Sequence, residues 1–525
     1  MRGNVVPRDQ TILIRALQNP ALYQHPVEDI HLIETHISWV ILTGAVVYKI
    51  KKAVDFGFLD FSTLEKRHFY CEEEVRLNRR FAPDLYLDVI AVRGSSQHPA
   101  WQGKGPAIEY AVRMRQFPQQ ALLSSLAARH GITEGHIDEI AALVADMHAG
   151  AAVADTDGQF GLPKDIHHWV VENFTHIRPA LSDGRRRERL DDLEQWCERE
   201  FRSKESVFRA RRDEGFVREC HGDLHLGNLA LIDGRITPFD CIEFNARLRW
   251  IDIMSENAFL MMDLQDRGYP ELAYRFLNVL LQRTGDYAGV SILRYYLVYR
   301  ALVRAKVAVL RLGNAEPDDE AWREYDSYAE LAAGYARAAA PCLIITHGVS
   351  GSGKSWLASR LAGRMRGLQL RSDVERKRLF GYRADAQTGS GVHAGIYTTE
   401  AGRQTYARLA ELARCLIDGG YTAIVDAAFL KQDERTRFRL LAERLRVPFV
   451  LLDFSAHDEL LRARIRARQA AGTDPSEAGV EVLEAQLGSR EPLDPVERQR
   501  AIAIDTSREA SIDDLVRRIA RERCD

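Results

Sequence analysis

The segment Gly348-Val-Ser-Gly-Ser-Gly353-Lys354-Ser355 constrains the fold of this chain more than any other feature. It satisfies GxxxxGK[ST] at every position, follows the apolar run Cys342-Leu-Ile-Ile-Thr346, and opens a stretch with helical periodicity. Glycines at 348, 351 and 353 let the backbone turn tightly enough to present consecutive N–H groups, and the helix behind adds its positive end. The motif needs a strand before it and a helix after it, which implies a parallel sheet covered by helices. The text downstream agrees: strand-like LIITHG, LQLRSD, TAIVDAAF and PFVLLDF alternate with helical stretches from residue 341 onward.

Such a loop holds the phosphates of a nucleotide. Gly348, Ser350, Gly351, Ser352 and Gly353 are the expected cradle, Lys354 reaches the β- and γ-phosphates, and the Ser355 hydroxyl ligates Mg²⁺. The next strand ends Leu370-Arg371-Ser372-Asp373. A carboxylate there accepts the proton of an attacking hydroxyl, or caps the helix from Val374. Asp426 closes the apolar run Thr422-Ala-Ile-Val-Asp426, where an acid organises Mg²⁺ and its waters or simply caps the strand end. Farther on, Arg462, Arg464, Arg466 and Arg468 share one helix. Spacing of four puts Arg464 and Arg468 on one face, either closing over a phosphoryl group or forming a solvated basic surface. On these motifs, residues 342–520 resemble the small P-loop kinases related to polynucleotide kinase, zeta toxin and gluconate kinase. The resemblance implies that Asp373 activates the acceptor hydroxyl and that Arg464 and Arg468 clamp phosphates. Members of that family phosphorylate sugars, antibiotics, nucleotides and nucleic-acid ends, so it leaves the acceptor open; Gly395-Ile-Tyr397-Thr398 lies where one would bind.

A second set lies upstream. His221-Gly-Asp223-Leu-His225-Leu-Gly-Asn228 is followed by a predicted hairpin, Leu229–Phe239 with its turn at Asp233-Gly234, and then by Asp240. Kinase-fold phosphotransfer needs an Asp at the hydroxyl, an Asn on a metal, and a second Asp chelating Mg²⁺ against the phosphates. The spacing supplies all three. Residues 25–312 resemble the aminoglycoside/choline phosphotransferase family, whose architecture is that of protein kinases. The resemblance makes Asp223 the base and Asn228 and Asp240 the Mg²⁺ ligands. It also requires a lysine on the third strand paired with a helical glutamate. Lys49 and Lys51 share one strand face; alignment to the family selects Lys51, with Glu73 rather than Glu74 as partner. Two departures stand out. Asp240 is followed by Cys-Ile-Glu243 instead of a glycine turn, which makes Glu243 a candidate metal or substrate group, and Thr35–Ser38 replaces a glycine-rich loop.

The expected architecture is an α+β protein-kinase-like bilobal domain followed by an α/β P-loop domain with a parallel sheet. The first spans residues 1–315 (N-lobe about 25–115, C-lobe about 116–315), a connector helix covers 316–340 after the turn-rich stretch 313–319, and the P-loop domain covers 341–525. A hairpin around Thr43-Gly44, a helix over 62–80, a strand over 107–114 and amphipathic helices over 269–312 are predicted within the first. No apolar run reaches the ~18 residues of a membrane span, MRGNVVPRDQ lacks a secretory signal pattern, and seven unpatterned cysteines suit reduced thiols. A cytoplasmic protein without a membrane partner is the expectation. A net charge of −3 argues against a nucleic-acid coat, though not against a nucleic-acid end as acceptor. The net charge is about +4 after residue 341 and therefore about −7 before it. The leading reading is a tandem ATP- and Mg²⁺-dependent kinase acting on hydroxyls of small-molecule acceptors. The alternatives are one active kinase regulated by a nucleotide-binding partner domain, or a 5′-kinase or toxin-like P-loop enzyme. Neither the acceptor nor the oligomeric state is written in these motifs.

Overall fold

Helix α1 (Arg8–Ala16) is followed by three antiparallel strands, β1 (His31–Glu34), β2 (Ser38–Leu42) and β3 (Val46–Lys51). The predicted hairpin is β2–β3, its turn closed by the Thr43 N–H on Val46 O. The run before it breaks in two at Thr35, whose hydroxyl accepts from the Ser38 N–H and so turns the chain between β1 and β2. The structure, a computed structural model, describes residues 6–57, 59–312, 319–337, 340–384, 386–388, 395–471, 476–508 and 511–522. The turn-rich residues 313–318, residues 338–339, and Cys524 lie outside them. Two compact units emerge: residues 1–133, 147–165 and 209–260 form one, and residues 134–146, 166–208 and 261–525 form the other.

In the first unit, α2 (Leu64–Asn78) packs beside a six-stranded antiparallel sheet completed by β4 (Tyr86–Gly94), β5 (Pro99–Ala100) and β6 (Ala107–Arg115), in the order β1-β2-β3-β6-β4-β5. Sequence reading missed β4, because YLDVIAVRG is mostly half-buried rather than cleanly alternating. Leu13, Ile14 and Leu17 from and after α1 bury against Trp39, Ile41 and Ile50 on one sheet face. Cys71 and Val75 of α2 bury against Val47 and Val112 on the other. The chain is then mostly helical: α3 (Leu123–Ala128), α4 (Glu134–Gly150), α5 (Pro163–Ile177) and α6 (Gly184–Asp213). The strand β7 (Val217–Glu219), the expected hairpin β8 (Leu229–Ile232)–β9 (Arg235–Pro238), helix α7 (Ala246–Arg249) and β10 (Trp250–Asp252) follow, then α8 (Ile253–Asp266).

The second unit holds α9 (Pro270–Thr284), α10 (Val290–Leu312) and α11 (Asp319–Ala336) together with a five-stranded parallel sheet. The sheet order is β12-β13-β11-β14-β15, with β11 (Leu343–His347), β12 (Leu368–Arg371), β13 (Ala423–Asp426), β14 (Phe449–Ser455) and β15 (Ile502–Asp505). All four strand pairings are parallel. β11 and β13 are buried at every position, as a strand covered on both faces must be, and so read as continuous apolar runs. β15 escaped prediction because four residues are too few for a periodic signal. The helices are α12 (Lys354–Met365), α13 (Ser372–Leu379), α14 (Thr399–Asp418), α15 (Gln432–Leu445), α16 (Asp458–Ala471), α17 (Val480–Ser489), α18 (Pro495–Arg500) and α19 (Ile512–Glu522). Leu357 and Leu361 of α12 and Leu515 and Ile519 of α19 bury with Ile344, Ile424 and Leu452, fixing the helix that follows the glycine loop against the sheet. Among the described residues no helix is long and apolar enough to cross a membrane, and Cys71, Cys197, Cys220, Cys241, Cys342 and Cys415 are free thiols.

Candidate active sites

In the first unit β3 presents two lysines to one glutamate. Lys49 Nζ lies 2.8 Å from Glu74 Oε1 and 2.5 Å from Asp240 Oδ1; Lys51 Nζ lies 2.7 Å from Glu74 Oε2 and also pairs with Glu243. The partner expected from sequence, Glu73, is elsewhere: it binds Arg76 at 2.6 Å and Arg249 at 2.7 Å. The helical period explains the correction. Arg67, Cys71, Glu74, Val75 and Asn78 form the buried stripe of α2, while Glu73 stands one residue off it. The two lysines also differ. Lys51 is wholly enclosed, whereas Lys49 keeps 13% of its side chain exposed beside an Asp240 that keeps 44%.

The loop residues meet through the backbone. The Phe239 N–H donates to Asn228 O, and His221 Nε2 contacts Phe239 O at 2.8 Å, which draws the segments before β8 and after β9 together. Asn228 Nδ2 donates to the Asp223 carbonyl at 2.9 Å and to Asp223 Oδ2 at 3.0 Å. Asp240 takes a left-handed backbone, φ 62°, which Asp adopts more readily than most side chains. It is held on both flanks. Its own N–H donates to the Tyr86 hydroxyl at 3.0 Å, and the Cys241 N–H donates to Asn78 Oδ1 at 2.9 Å. A support that sequence reading missed lies behind Asp223: the Gly222 N–H donates to buried Glu256 at 2.7 Å, and Glu256 pairs with His148 at 2.9 Å.

Burial by itself lowers Lys49, but the carboxylates of Asp240 and Glu74 outweigh it and hold the amine well above its usual range. Burial likewise works to raise Glu74, and the two lysines override it, bringing the carboxyl to about 2. For Glu243 burial wins over Lys51 and the carboxyl stays above its ordinary value. The Asn228 amide NH₂ is spent on Asp223, so its oxygen is the atom left to ligate. With the part-exposed Asp240 carboxylate that is an all-oxygen donor set, which fits Mg²⁺.

In the second unit the glycine loop closes as its sequence requires. Gly351 has φ 80°, and a Cβ there would meet Leu461 O at 2.7 Å, so neither the backbone nor the space admits a side chain. The Ser352 hydroxyl donates to Val349 O at 2.8 Å, and Gly348 and Gly353 also take positive φ. Lys354, the first residue of α12, folds back to donate to Val349 O at 2.8 Å. A cavity of about 280 Å³ opens over the loop. Ser350, Gly351, Gly353, Lys354, Ser355, Asp373, Asp426, Arg464 and Arg468 line it, whereas Gly348 and Ser352, also named from sequence, do not.

Each stands on a defined support. Asp426 ends β13, is buried, receives Gln369 Nε2 at 2.9 Å and lies 3.8 Å from Arg371 Nε. Burial raises its carboxyl, against Arg371 and a hydrogen bond from the Ser355 hydroxyl. A serine hydroxyl and a carboxylate already in contact fit an Mg²⁺ site. Asp373 lies in the first turn of α13, not on the strand, 3.8 Å from Arg376. Arg464 donates to the Thr506 hydroxyl and carbonyl, each at 2.8 Å, and Arg468 to Ala478 O at 2.6 Å. Arg462, on the other face, pairs with part-exposed Glu484. Tyr397 lines the cavity with the Arg376 guanidinium 4.9 Å from its ring. Sequence reading missed Gln369, Thr506 and Gln486, whose Oε1 accepts the Ser350 N–H at 2.7 Å. Single polar residues at these places carry no spacing signature.

Comparison with known proteins matches one segment to a family model and most of the chain to a relative. Residues 343–493 match the family model described as an AAA domain. The chain is 30% identical over 456 residues to the uncharacterized protein Rv2004c of Mycobacterium tuberculosis, covering 86% of this chain and 89% of that one. Among solved structures, the chain is similar to a sugar kinase from Janibacter (22% identity, 34% of this chain and 93% of that one, TM-score 0.27). The chain is also similar to a choline/ethanolamine kinase family protein from Mesorhizobium loti (10% identity, 62% and 94%, TM-score 0.38).

Proposed function

The chain belongs to the family of this uncharacterized mycobacterial protein, and from the two sites its sequence builds we propose that it is a tandem ATP-dependent phosphotransferase, each site phosphorylating a hydroxyl of a small molecule. The convergence of Lys354, Ser355, Asp373, Asp426, Arg464 and Arg468 on one cavity carries this reading. In the P-loop site Asp373 takes the proton of the acceptor hydroxyl as its oxygen bonds the γ-phosphorus. The bond from that phosphorus to the β–γ bridging oxygen breaks, and ADP leaves. Lys354, Arg464 and Arg468 neutralise the charge that develops on the transferring group. Mg²⁺, which Ser355 and Asp426 would hold here and Asn228 and Asp240 in the kinase-like site, would supply further charge neutralisation.

In the kinase-like site Asp223 has the corresponding role. Lys49 is the better candidate for the phosphate-contacting lysine, since Lys51 is sealed between Glu74 and Glu243. The domain assignment, with residues 1–315 serving one site and 341–525 the other, belongs to this proposal, as does a cytoplasmic setting. Turnover of ATP by the purified chain with an acceptor library is the test. Asp223→Ala and Lys354→Ala should each remove one acceptor-dependent activity by about 10²–10⁴-fold and leave the other. Turnover untouched by either change would refute the reading.

A further inference from the structure

Helix α9 lies outside the matched P-loop segment 343–493, yet it reaches three elements of the P-loop site. β12 is an edge strand, paired with β13 on one side only, so its outer edge offers unpaired backbone groups. The side chain of Asn278 occupies that edge. Its Oδ1 accepts the Gln369 N–H at 2.7 Å, and its Nδ2 donates to Gly367 O at 3.1 Å and Tyr274 O at 2.8 Å. One buried amide thus does what a neighbouring strand would do. The residue it grips is the one that matters: the Gln369 side chain donates to Asp426 at 2.9 Å.

The helix that follows β12, α13, is anchored by α9 as well. Arg378 of α13 donates to Gln282 O and packs on Gly285, where a Cβ would meet Arg378 Nε at 2.7 Å. Asp373 sits between the two anchors. At its other end α9 meets α12, with Glu271 packed on Gly363 and 3.6 Å from Arg364.

We propose that Asn278 is a positioning residue for the P-loop site: through Gln369 it sets Asp426, and through β12 it sets Asp373, so a helix outside the P-loop domain completes that domain's catalytic geometry. The proposal rests on the P-loop reading above. Misplacing reacting groups by about 1 Å costs on the order of 10²-fold in rate, whereas α9 meets α12 at Gly363 and Arg364, nine and ten residues beyond Lys354.

The full chain carrying Asp223→Ala isolates P-loop turnover, with Lys354→Ala as its control. On that background Asn278→Ala should lower kcat about 10- to 100-fold with the ATP KM changed less than about twofold. Asn278→Asp keeps the acceptor for the Gln369 N–H and should recover part of the loss. Amide exchange of peptides spanning 366–372 should speed up in Asn278→Ala while 449–455 stays protected. Arg378→Gln, which releases the second anchor, should reproduce the kcat-specific defect and guards against a poorly folded Asn278 variant. Unchanged kcat with faster exchange would overturn the proposal, as would kcat and KM shifting together with exchange rising everywhere. Turnover surviving Lys354→Ala would instead defeat the P-loop reading.

Discussion

Lys354 folds back, half-buried, on its own loop, and desolvation lowers its amine to about 8, with Asp426 and Asp373 too weak to restore it. Nucleotide phosphates would return the missing counter-charge and raise the pKa, so the bound state holds more protons than the free state above pH 8. Affinity at this site should therefore fall as pH rises from 8 toward 10, with net proton uptake on binding. Calorimetry in buffers of different ionisation enthalpy measures both, and binding without proton uptake at pH 9 would contradict the assignment. Lys354 and Asp373 were legible in sequence because motif and spacing mark them. Glu74 over Glu73 was not, since adjacent acids differ only by a helical rotation that needs the packed face to be known. Gln369 was harder still: it is a lone polar residue in an apolar strand, meaningful only once Asp426 stands opposite.

At the scale of elements, α16 sorts its arginines by face. Arg464 reaches Gly351 O and Thr506, and Arg468 reaches Ala478 O, while Arg462 is tied to Glu484 at the surface. Arg464→Ala and Arg468→Ala should each lower P-loop kcat by about 10²–10³-fold, the cost typical of removing a charge-stabilising donor. Arg462→Ala should stay within about twofold, since exposed pairs contribute little. Steady-state rates on the Asp223→Ala background decide it, and equal losses at 462 and 464 would deny the face selectivity. The spacing of four foretold which arginines share a face; Thr506, the anchor that orients Arg464, comes from the end of β15, a strand too short to announce itself. β4, nine residues long, was hidden instead by its half-buried, irregular pattern, whereas β11 and β13, buried throughout, were plain.

Across the whole molecule, the chain packs as two compact units, one of which takes residues 134–146, 166–208 and 261–525 and so divides the helical stretch. No local pattern marks such a division, because helices allotted to either unit have the same period. Two compact units should unfold in two calorimetric transitions. ATP with Mg²⁺ at about 100 times Kd should stabilise each unit by about 2.7 kcal/mol, and Lys354→Ala should cancel only the shift of the second unit. One transition shifting as a block would count against independent sites. The grip of Asn278 on β12 bears also on how the gene is dissected. A fragment starting at residue 341 would lose α9 and bare the Gln369 N–H and Gly367 carbonyl on an open sheet edge, a template for strand addition between copies. Its aggregation or inactivity would report a misplaced expression boundary, and a soluble fragment calls for a start upstream of Pro270.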